Sequence, residues 1–182
     1  MTPMTPADEF EKDFTEAVQT SNKVLEMVNE KEFRVKLWLA GPTHTPYENG
    51  TFAVELLFPS NYPASKPQVV FQTKIWNPLV EAATGRLDCA DLQLFTVGAV
   101  VHHVDLLLQS AVEDEETMFF RTALFWTREF AGSGRPSEQD PELLAKLERL
   151  AELGYSRLKC LIALSTRDWK YQEAAEKLII EE

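Results

Sequence analysis

Two cysteines, Cys89 and Cys160, in a chain of 182 residues cannot build a disulfide framework, and no Cys/His spacing suits a zinc ion. Cationic residues are short as well. The 18 lysines and arginines stand against 29 aspartates and glutamates, a formal net charge of -11 that leaves no broad basic surface for a nucleic-acid backbone or anionic lipid. No apolar run reaches the ~18 residues that a membrane span needs, and the opening MTPMTPADEF carries neither the basic flank nor the apolar core of a secretory signal. The expectation is a soluble, intracellular protein, cytoplasmic or nuclear, that engages neither nucleic acid nor membrane. The histidines do not make a metal site: His44 falls in a loop, and adjacent His102 and His103 point to different faces of any helix.

What the chain does hold is apolar residues, 45% of the total, ample for a packed core. Their most ordered stretch runs from Trp38 to Pro78. Gly41-Pro42 breaks the strand ending in Leu37-Trp38-Leu39, and Asn49-Gly50 is a strong turn signal before a second strand, Thr51 to Phe58. Pro59 cannot donate to a sheet ladder, and Tyr62-Pro63 with Lys66-Pro67 keep the chain extended until Val69-Val70-Phe71 resumes a β-rich run. No connection between these strands has room for a parallel crossover, so the sheet is expected to be an antiparallel meander.

Helical spacing surrounds this sheet. Phe10, Phe14, Ala17, Val18, Val24 and Leu25 predict a helix from Ala7 to about Met27 with an acidic front half. After Pro78 the pattern is irregular up to Gly98, which suits a long functional loop. Helices follow over Ala99 to about Val112 and Met118 to Phe130, separated by the acidic turn Glu113-Asp114-Glu115-Glu116. Gly132-Ser133-Gly134-Arg135-Pro136-Ser137 is a flexible, polar segment. Beyond it, Leu143 to Leu150, Leu158 to Leu164 and Ala174 to Ile179 predict three short helices around one small core, with Cys160 as a small buried hydrophobe. The boundaries are therefore a larger domain over 1–131, a flexible linker over 132–139 and a three-helix module over 140–182.

Gly41-Pro42, then Thr45-Pro46-Tyr47-Glu48-Asn49-Gly50-Thr51-Phe52, Phe58-Pro59, Tyr62-Pro63 and Pro67-Gln68-Val69-Val70-Phe71 resemble the core of ubiquitin-conjugating (E2) enzymes. Ala123 to Ala131 is similar to that family's late helix. The resemblance covers roughly residues 7 to 131 and implies an α+β fold: a four-stranded antiparallel meander with an N-terminal helix and later helices. It also implies chemistry. Cys89-Ala90-Asp91-Leu92 resembles the Cys-Leu-Asp-Ile of the active-site loop, so Cys89 would accept ubiquitin, or a ubiquitin-like modifier, as a thioester from an activating enzyme and pass it to a lysine. Asp91 would orient or deprotonate that lysine. No metal or organic cofactor is implied, because ATP is consumed by the activating enzyme.

The family's His-Pro-Asn element corresponds to Asn77-Pro78-Leu79, placing leucine where a side-chain amide serves the oxyanion. Losing such a donor typically costs ~10²- to 10³-fold in rate, and Asn77 is the residue left to recover part of that role. On a second register Gly85-Arg86-Leu87-Asp88 aligns with the Gly-x-Ile-Cys before the thioester, which puts Asp88 at the nucleophile's place and makes the chain a weak or inactive variant, a ubiquitin-binding scaffold. Ala64 and Val97-Gly98-Ala99 replace the large anchors of the two ligase-contacting loops, so a ligase partner would meet altered docking surfaces. The acidic front of the first helix likewise departs from the basic helix with which the family docks its activating enzyme.

Residues 140 to 182 resemble a ubiquitin-associated (UBA) domain, an all-α three-helix bundle, with Leu153-Gly154-Tyr155 standing for its Met-Gly-Phe loop. By that resemblance Leu153, Gly154 and Tyr155 with Leu178 and Ile179 bind the apolar patch of ubiquitin.

Overall fold

The computed structural model describes residues 2–90, 92–111, 114–132 and 134–181. Its first helix, α1 (Pro6–Thr20), begins at a capping box in which Thr5 Oγ1 accepts the Asp8 N–H (3.2 Å) and the Asp8 carboxylate accepts the Thr5 N–H (3.1 Å). It ends well before Met27. Asn22 takes a left-handed backbone (φ 54), a conformation that asparagine tolerates, and the chain turns into β1 (Val24–Asn29). Val24 and Leu25, expected on the helix stripe, are therefore strand residues, as suits β-branched Val24.

β1 pairs with β2 (Arg34–Ala40), β2 with β3 (Thr51–Leu57) and β3 with β4 (Gln68–Phe71), all antiparallel and in chain order. The corner between β2 and β3 depends on Gly41: a Cβ there would lie 1.6 Å from the Tyr47 carbonyl oxygen, and the Gly41 N–H closes the corner on Gly50 O at 2.8 Å. One face of the sheet, carrying Val35, Leu37, Leu39, Phe52, Val54 and Leu56, is buried with Phe10 and Ala17 of α1 and Val100, Val104 and Leu107 of α2 (Val97–Gln109). α2 starts two residues before the expected Ala99 because Thr96 caps it, its hydroxyl accepting the Ala99 N–H at 3.3 Å.

α3 (Met118–Phe130) has the bounds its spacing predicts, and it divides its side chains between two cores. Ala123 joins the sheet core, while Phe125 and Trp126 enter a second core with Leu143, Leu147 and Leu150 of α4 (Pro141–Ala151), Leu161 and Leu164 of α5 (Arg157–Ser165) and Leu178 of α6 (Tyr171–Ile180). Two buried indoles tie the layers together: Trp126 Nε1 donates to Ser165 Oγ and Trp169 Nε1 to Thr122 Oγ1, each at 2.9 Å. The segment expected to be flexible, 132–139, has fixed points in its described part. Gln139 is buried and donates to Phe125 O at 2.9 Å, and Arg128 donates to Glu138 O at 2.7 Å. Arg121 adds a fork onto Asp140 Oδ2 (2.8 and 3.0 Å). The fixed points arise because two large aromatics on α3, Phe125 and Trp126, enter a core built mainly by the following helices.

Candidate functional site

The irregular stretch after Pro78 is a short flap. Asn77 pairs with Val80, Val80 with Leu87, and Val70 of β4 with Arg86, so residues 77–87 fold back as a narrow hairpin on the sheet's last strand. Gly85 permits the approach. It lies at φ 77, where a Cβ would sit 2.1 Å from Phe71 O, and its carbonyl accepts the Phe71 N–H at 2.7 Å. Leu87 N–H donates to Val69 O and Asp88 N–H to Leu79 O, both at 2.9 Å, which carries the chain from the flap to the cysteine.

Between this flap, Lys66 to Val69, and Arg86 to Ala90 lies a cleft of 620 Å³. Side chains alternate along its floor as in an extended chain: Leu87 is buried, Asp88 exposed, Cys89 buried with 9% of its surface exposed, and Ala90 exposed. Cys89 belongs to the sheet core as well as to the cleft wall. Burial pushes its thiol above the ordinary value, the neighbouring Asp88 carboxylate adds to the rise, and the Lys66 ammonium opposes it. Lys66 also fixes the loop, donating to Cys89 O at 3.3 Å and Ala90 O at 2.5 Å. In the sequence Lys66 marks only a turn; its position one residue before Pro67, at the rim of the loop that faces the cysteine, becomes meaningful in three dimensions.

Asn77 is not among the residues lining that cleft. Its Nδ2 donates to Tyr47 Oη at 3.0 Å and its Oδ1 accepts the Leu79 N–H at 2.9 Å, so the amide holds the entry to the flap. Leu79 itself is exposed on the cleft wall. Asp91 lies outside the described residues.

The second expected surface is on the C-terminal helices. Gly154 has a left-handed backbone (φ 98) just after α4, which turns Leu153 outward with 54% of its surface exposed, while Tyr155 is half-buried against the second core. Ile179 is 61% exposed. Leu178 is a correction: it is only 4% exposed and fills the second core, because α6 points Leu178 and Ala174 inward on one stripe and leaves Ile179 on the other side. Leu178 therefore offers no contact surface. Ile180, which no motif singles out, is exposed beside Ile179. Cys160 is fully buried in α5. No helix among the described residues is long and apolar enough to cross a membrane.

A family model described as ubiquitin-conjugating enzyme matches residues 9–120. The chain is 30% identical over 191 aligned positions to ubiquitin-conjugating enzyme E2 K of Homo sapiens, covering 94% of each. It is 31% identical over 182 positions to ubiquitin-conjugating enzyme E2-22 kDa of Drosophila melanogaster, covering 90% of this chain and 89% of that one. Among solved structures, the E2 domain of a Toxoplasma gondii ubiquitin conjugating enzyme superposes with a TM-score of 0.56 at 26% identity, covering 67% of this chain and 96% of that domain.

Proposed function

This chain belongs to the ubiquitin-conjugating (E2) enzyme family, a family of transferases, and we propose that it takes ubiquitin from an activating enzyme as a thioester on Cys89 and passes it to a lysine. The observation that carries this reading is the place of Cys89: it is the one thiol lining the described cleft, at the end of a flap hairpin, with a lysine ammonium beside its backbone. In the step itself the Cys89 thiolate attacks the carbonyl of the incoming thioester and the activating enzyme's thiolate leaves. The lysine amine then attacks the new thioester, loses its proton and releases Cys89. Leu153, Tyr155 and Ile179 give the C-terminal helices an apolar surface for a second ubiquitin, which would raise its local concentration at the cleft.

The path to charging runs uphill in this fold. Cys89 must turn its sulfur out of the core and lose a proton that burial and Asp88 both retain. With Leu79 where the resemblance expects an amide, transfer is slow, and its rate climbs with pH.

A second reading rests on one observation: of the two neighbours that line the cleft, Asp88 is exposed and Cys89 is buried. On the register that aligns Asp88 with the nucleophile, the chain is a non-charging family member that positions ubiquitin for an active partner. Incubation with activating enzyme, ubiquitin and ATP separates the two. A thiol-sensitive adduct present in the parent and absent in Cys89→Ala supports the first; no adduct with any ubiquitin-like modifier leaves the second.

A further inference from the structure

Trp76 packs against both hydrophobic cores, and it stands immediately before the flap. Its ring centroid lies 5.6 Å from that of Trp126, with 35° between the planes. Trp126 is fully buried in α3, and its indole N–H is fixed by Ser165, the last residue of α5, at 2.9 Å. On the other side, the Trp76 carbonyl accepts Tyr47 Oη–H at 2.9 Å, Tyr47 Oη accepts Asn77 Nδ2–H at 3.0 Å, and Asn77 Oδ1 accepts the Leu79 N–H at 2.9 Å. Thus an uninterrupted series of contacts leads from the C-terminal helices to the wall of the cleft.

The flap is held from a second point. Ala82 packs against the C-terminal core, while Pro78, Leu79, Val80 and Glu81 line the cleft. A hairpin this short, with one side on the helices and the other on the cleft, cannot move at one side alone. Close-packed interiors transmit displacement because they have no slack to absorb it.

We infer that the C-terminal helices position the flap of the Cys89 cleft through Ser165, Trp126 and Trp76, which makes these three positioning residues. The helices then serve the cleft directly, besides any ubiquitin they bind. Orientation is set at the Ser165 hydroxyl, which fixes the Trp126 indole; Trp126 sets Trp76; and Trp76 sets the backbone from Asn77 to Leu79. Because Cys89 lies in the core beneath this wall, the tightness of the flap governs how often its sulfur is reached. The inference concerns the same cleft as the proposed transfer, yet its readouts need no ubiquitin, so its failure and the failure of charging are separable.

The test uses the full chain with three variants: Ser165→Val, which removes the hydroxyl; Ser165→Thr, which keeps it; and Trp76→Ala, which removes the ring next to the flap. Amide hydrogen exchange is followed over residues 81–88, and alkylation of the Cys89 peptide by iodoacetamide is followed by mass spectrometry from pH 7 to 10. An indole N–H left without its buried partner, or a ring deleted, should speed flap exchange and Cys89 alkylation about tenfold. The pH at which alkylation levels off should fall, since a looser flap lets water reach the thiolate. Ser165→Thr should behave as the parent, and amides of β2 and β3 should keep their protection throughout. The inference is overturned if Ser165→Val and Trp76→Ala leave flap exchange and alkylation within about twofold of the parent. It is equally overturned if Ser165→Val releases α4 to α6 while the flap stays protected.

Discussion

Lys66 Nζ lies 3.3 Å from the carbonyl oxygen of Cys89 and opposes the rise that burial and Asp88 impose on the Cys89 thiol. One cation therefore both clamps the loop and favours the Cys89 thiolate. Lys66→Met keeps the aliphatic stem and deletes the charge. Alkylation of Cys89 at pH 8 should fall roughly two- to fivefold, a modest change because the ammonium is partly solvated. An unchanged rate would show that the ammonium acts on the backbone alone.

Asp88 pulls the other way. Asp88→Asn removes a negative charge next to the thiol, so the Cys89 pKa falls and its reactivity near neutral pH increases; burial, the larger cause, remains. In the parent, alkylation should keep rising past the pH at which an ordinary cysteine, with pKa ~8.5, levels off. In Asp88→Asn the same curve should shift to lower pH. A rate profile recorded from pH 6 to 10.5 checks both statements.

Gly85 carries the flap's closest approach. At φ 77, with only 2.1 Å between Phe71 O and the place a Cβ would occupy, Gly85→Ala must either strain the backbone or push the flap off β4. The expected loss is at least ~1–3 kcal/mol in urea unfolding, together with faster exchange at the Phe71 and Leu87 amides. Full stability in the variant would mean that the flap rests on β4 less tightly than its hydrogen bonds indicate.

The surface of the C-terminal helices gives a paired test. Leu153→Ala and Ile179→Ala remove exposed side chains and should weaken ubiquitin binding severalfold in an NMR titration while leaving thermal stability unchanged. Leu178→Ala opens a cavity in the second core and should cost ~2–5 kcal/mol. If ubiquitin at millimolar concentration shifts no resonance of the parent's C-terminal helices, the resemblance there is one of architecture alone.

Much of this fold was legible locally. Gly41-Pro42 and Asn49-Gly50 marked the sheet's corners, and the apolar spacing of Met118 to Phe130 gave that helix its bounds. The end of the first helix is hidden in the sequence because Val24 and Leu25 continue a helical period, and the left-handed Asn22 just beyond it has no signature in spacing. The anchored linker was illegible for another reason. Phe125 and Trp126 look like ordinary core residues, and only the fold reveals that they fill a different core from Ala123. At the site, the cysteine's place near the flap could be read, whereas its facing could not. An extended run of Leu87, Asp88 and Cys89 alternates, so the burial of Leu87 turns Cys89 inward with it. Lys66 and Trp76 became visible only once loops distant in sequence met.

The proposed transfer stands or falls on whether Cys89 forms a thioester despite its burial. Intact mass spectrometry of the chain after incubation with activating enzyme, ubiquitin and ATP measures this directly, run at pH 7.5 and again at pH 9. The expected result is a single ubiquitin adduct that is lost on treatment with thiol, absent in Cys89→Ala, and formed faster at pH 9. No adduct at either pH, or an equal adduct in Cys89→Ala, contradicts the proposal and leaves a family member whose cleft presents Asp88.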